Sequence, residues 1–86
     1  ISCELLLIKM VNEPDTREEI RAAASAFGAD TVDYAKDSMI FRLADTTRRI
    51  DDFLNFMRDY TILEICRTGC VSLHKGSTTI RQAINF

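Results

Sequence analysis

Residues 29–44 read ADTVDYAKDSMIFRLA, and the fold turns on them. Val32 and Tyr34 alternate with Thr31 and Asp33, and after Asp37-Ser38 the run from Met39 to Ala44 follows as a second extended segment. Two such runs about a short polar turn predict an antiparallel hairpin, strands at 29–36 and 39–44. The alternation in the first run marks a half-exposed edge strand. Working outward, each side of the hairpin offers a helical stripe. Ile20, Ala23, Ala24 and Phe27 upstream, and Ile50, Phe53, Leu54 and Met57 downstream, both fall at i, i+3, i+4, i+7. Asp15 or Thr16 opens the first helix, either one offering a capping box with Glu18 or Glu19, and Gly28 stops it. The second helix spans 45–60, with Arg48, Asp51, Asn55 and Arg58 facing away from its apolar stripe.

The two ends of the chain complete the pattern. Residues 3–11, CELLLIKMV, form a strand with Leu5, Leu7 and Lys9 on one face and Leu6, Ile8 and Met10 on the other. A strand apolar on both faces belongs in the middle of a sheet. Residues 62–74, ILEICRTGCVSLH, form the last strand, interrupted at Gly69, where a bulge is expected. Element order is therefore βαββαβ. Two right-handed crossovers place both helices on one face of a four-stranded antiparallel sheet, with the first and third strands central. The fold class is α+β, a ferredoxin-like (ACT-like) two-layer sandwich. Residues 1–76 are the expected domain and 77–86 a short polar tail.

Eighty-six residues suit one small domain, not two. Eleven basic and 13 acidic residues give a net charge of −2, without the basic surplus that nucleic-acid binding through counterion release needs. The longest apolar run, Leu5 to Ile8, is far short of the roughly 20 residues of a membrane span. Neither a nucleic-acid nor a membrane partner is expected. The chain opens on Ile1 without an initiator Met, which suggests that it is cut from something longer.

Chemistry-bearing patterns are sparse. Cys66, Cys70 and His74 are spaced i, i+4, i+8, but on one strand each step spans about 13 Å, too far for shared zinc ligation. The three cysteines, Cys3 included, read as ordinary buried thiols of a reducing compartment. His74 has no nucleophile partner legible in sequence, and Gly28, Gly69 and Gly76 form no phosphate-cradling loop. Arg48-Arg49 reads as a solvated helix face, and the aromatics Phe27, Phe41, Phe53, Phe56, Tyr34 and Tyr60 mostly as core. No catalytic, cofactor-binding or metal residues are assigned. What the pattern does show is a surface wanting cover, because the helices shield one face of the sheet only. Leu6 and Ile8 on the first strand and Ile40 and Arg42 on the third are the candidate partner-contact residues, and self-association is the expected solution.

Further residues carry a resemblance. The opening Glu4-Leu5-Leu6-Leu7-Ile8-Lys9-Met10, Arg17-x-Glu19-Ile20, Phe27-Gly28-Ala29-Asp30, Arg49-Ile50-Asp51-Asp52-Phe53-Leu54, Glu64-Ile65-Cys66-Arg67-Thr68-Gly69 and Val71-x-Leu73-x-Lys75-Gly76 stand in one order. Over about residues 4–76 the chain resembles the carboxy-terminal domain of the regulatory (small) subunit of acetolactate synthase, also called acetohydroxyacid synthase. The resemblance implies a non-catalytic role in branched-chain amino acid biosynthesis: assembly, activation and feedback regulation of a separate catalytic (large) subunit. That subunit, not this one, carries thiamine diphosphate, magnesium and flavin. It also implies a homodimer or higher oligomer, in the bacterial cytoplasm or a plastid. The family's effector site lies in an amino-terminal ACT domain, and no residue here matches it. Arg67, Thr68 and Gly69 carry over as motif positions and join the candidate contact residues; Lys75 departs from the family's frequent arginine. A different reading is a free-standing ligand- or metal-sensing dimerisation domain, with Cys66, Cys70 and His74 as ligands contributed across two chains.

Overall fold

A computed structural model of the chain describes residues 2–72. Its elements are β1 (Ser2–Val11), α1 (Arg17–Phe27), β2 (Asp30–Tyr34), β3 (Ser38–Asp45), α2 (Thr47–Met57) and β4 (Ile62–Ser72). The sheet is antiparallel in the order β2-β3-β1-β4, so β1 and β3 are central as the sequence predicts. His74 and the tail at 77–86 lie outside the described residues.

Strand phase decides which side chains meet the helices. Leu6, Ile8 and Met10 of β1 and Met39, Phe41 and Leu43 of β3 are at most 3% exposed. They interlock with Ile20, Ala23 and Ala24 of α1 and Ile50, Phe53, Leu54 and Met57 of α2. Burying each of the large side chains contributes about 1.5–3 kcal/mol, and this layer is the core of the described residues. Leu6 and Ile8, expected at a partner surface, are thus core residues. The other phase of β1, Leu5 and Leu7, faces away from the helices and is only part-buried.

The helix boundaries correct the sequence reading in detail. At α1 neither capping box closes: Thr16 sits in a helical conformation and its side chain accepts no bond. Instead the amides of Thr16 and Arg17 both bond to the carbonyl of Glu13, at 3.2 and 2.9 Å, and Arg17 Nε donates to buried Asn12 at 2.6 Å. Asn12 in turn donates to the Ala35 carbonyl at 2.7 Å, which ties the β2–β3 turn to the start of α1. Gly28 stops α1 as expected, at φ 80°, with its amide returning to Ser25. α2 begins under a true cap, Thr46 accepting from the Arg49 amide at 3.3 Å, and ends at Met57, three residues before the predicted stop at Tyr60.

β2 holds a further correction. Thr31 pairs with Phe41 and Asp33 with Ile40, so Val32 is an extra residue and Thr31 and Asp33 lie on opposite faces. Every residue of β2 is exposed. Tyr34, at 49% exposure, and Phe56, at 40%, are not core, whereas Phe41 and Phe53 are fully buried.

Candidate functional site

Two features stand out, a charged clamp at the edge of the core and the face of the sheet that the two helices leave open. Glu4 is in phase with Leu6, Ile8 and Met10, so its carboxylate is carried into the core and is 1% exposed. A buried carboxylate needs partners. Arg67, opposite Leu6 on β4, supplies them: its Nε and Nη2 donate to the two carboxylate oxygens, the second at 2.8 Å. The same Nη2 donates to Asp51 of α2 at 2.9 Å. One guanidinium therefore joins both strands to the helix that covers them, in the bidentate geometry that makes such pairs strong. Hydrogen bonding to Arg67 holds the Glu4 carboxyl below the usual carboxylate range, against the opposing effect of burial. The two acids push the Arg67 guanidinium further above its already high value.

Thr68 and Gly69 complete this corner. The register slips between Glu4 and Leu6, and in that gap the Leu5 amide donates to Thr68 Oγ1 at 3.0 Å. Gly69 takes φ 75°, a left-handed conformation that a side chain would strain. The Arg67-Thr68-Gly69 run thus shapes a bulge and locks it to β1. The sequence offered one sign of the clamp, an acidic residue in phase with core positions.

The opposite face of the sheet is built from cross-strand rows fixed by the register. One runs Asp30, Arg42, Leu7, Cys66 from β2 to β4; the next runs Asp33, Ile40, Lys9, Glu64. Arg42 pairs with Asp30 at 3.2 Å. Leu7, Lys9, Ile40, Glu64 and Cys66 line a shallow depression of about 440 Å³. Bases therefore stand on the two central strands and acids on the two outer ones, around Leu7 and Ile40. Of the residues singled out from sequence, Ile40 and Arg42 lie on this face, Leu6 and Ile8 behind it, and Arg67 on the helix side.

Other expectations fare unevenly. Cys66 is exposed and Cys3 part-buried, so these two are not buried thiols; Cys3 shares the phase of Leu5 and Leu7, and Cys66 pairs with Leu7, on the face away from the helices. Among the described residues no group of three His, Cys, Asp or Glu could hold a metal ion. Arg49 is no free anion site: it donates to Asp45 and to the Phe27 carbonyl, and lies 5.0 Å from the Phe27 ring centroid. Among the described residues no helix is long and apolar enough to cross a membrane.

Comparison with known proteins agrees with the fold. A family model described as the small subunit of acetolactate synthase matches residues 3–76. The chain is 35% identical over 74 residues to the acetolactate synthase small subunit of Bacillus subtilis, covering 86% of this chain and 43% of that protein. It is also 35% identical over 74 residues, 86% of this chain, to the probable acetolactate synthase small subunit of Archaeoglobus fulgidus, here covering 46% of the relative. A crystal structure of the acetolactate synthase small subunit from Thermotoga maritima shares the fold at a TM-score of 0.78 and 22% identity, over 91% of this chain and 48% of that one. The chain spans about half the length of the relatives it matches.

Proposed function

The chain belongs to the acetolactate synthase small-subunit family, and on that premise we propose that it is the carboxy-terminal regulatory domain of such a subunit. It has no chemistry of its own. It supports assembly, activation and feedback regulation of the catalytic large subunit, in the cytoplasm, in the pathway to valine, leucine and isoleucine. Residues 1–76 make up this domain, a reading supported by the family match over residues 3–76. Thiamine diphosphate, magnesium and flavin belong to the catalytic chain.

The observation that carries the reading is the open sheet face. A domain stabilised from the helix side, by a core and a part-buried clamp, spends Leu5, Leu7 and Ile40 on a face that no helix among the described residues covers. Such a face, apolar at its centre and charged around it, has the anatomy of a contact surface. The test is co-purification of the large subunit with a small subunit carrying this domain, alongside acetolactate formation. Retention with raised activity supports the proposal; a large subunit neither retained nor activated refutes it.

A further inference from the structure

No further inference is drawn: the strongest candidate, the open groove of about 570 Å³ between α1 and the edge strand β2, is a stripe of small residues (Ala22, Ser25, Gly28, Ala29) for which nothing among the described residues shows what fills it.

Discussion

Arg67→Met removes the guanidinium and leaves the rest of the corner in place. Glu4, 1% exposed, would then hold a carboxylate in the core with no partner able to donate two bonds. Removing one member of a buried ion pair costs about 3–5 kcal/mol. The Arg67 side chain is 32% exposed, so water reaches the pair and we take the loss as about 2–3 kcal/mol. For a chain of 86 residues, with a total stability of roughly 4–13 kcal/mol, that is a large share. The melting temperature should fall by roughly 10–20 °C. Urea denaturation followed by circular dichroism at pH 7 measures it. Combining Glu4→Leu with Arg67→Met, which takes out both charges, should recover most of the loss, since an apolar replacement of a buried pair is often neutral. The pH dependence has a definite sign. Arg67 holds the Glu4 carboxyl below its usual range, so the clamp's contribution is whole above a pH of about 4.3 and is lost as pH falls through the lower folded value. The gap between parent and Arg67→Met therefore narrows in acid. A variant within 0.5 kcal/mol of the parent at pH 7, or a double variant as unstable as the sum of the singles, would refute the clamp.

Helix starts give a paired comparison. Thr46→Ala should cost about 1 kcal/mol by urea melt, because its side chain caps the Arg49 amide, whereas Thr16→Ala should cost only a few tenths, having no such bond to lose. Gly69→Ala should cost about 1 kcal/mol through its φ of 75° alone, since nothing lies within 4 Å of an added Cβ; a loss above about 3 kcal/mol would mean a steric contact instead. Phe53→Ala, at a side chain with no exposure, should cost about 3–5 kcal/mol and sharply lower the denaturation midpoint.

Periodicity made the architecture legible, and phase within a strand was where it ran out. The stripes at Ile20 to Phe27 and Ile50 to Met57 and the doubly apolar run 5–8 specify two helices and a central strand without ambiguity. Because both phases of β1 are apolar, sequence alone does not say which meets the helices, and reading Leu6 and Ile8 as contact residues picks the phase that the core takes. Glu4 would have decided it only for a reader who knew that Arg67, 63 positions away, waits opposite that phase. The bulge at Val32 is similarly silent: a strict alternation puts Thr31 and Asp33 together, and one extra residue separates them. Tertiary contacts also replaced the local capping box at α1 with the Asn12–Arg17 bond. In the candidate site, Ile40 and Arg42 were readable from the β3 alternation. The rows joining them to Asp30, Asp33, Lys9 and Glu64 needed the register.

The most direct measurement is the activity of the large subunit with a small subunit in which this domain carries Leu7→Glu and Ile40→Glu together. Both changes lie on the open face, away from the core and the clamp, so the domain should keep its circular dichroism signature. Acetolactate formation should then fall from the activated level to that of the large subunit alone. An unaltered small subunit that raises activity, beside a folded face variant that raises it equally, would contradict the claim that this domain acts through its uncovered sheet.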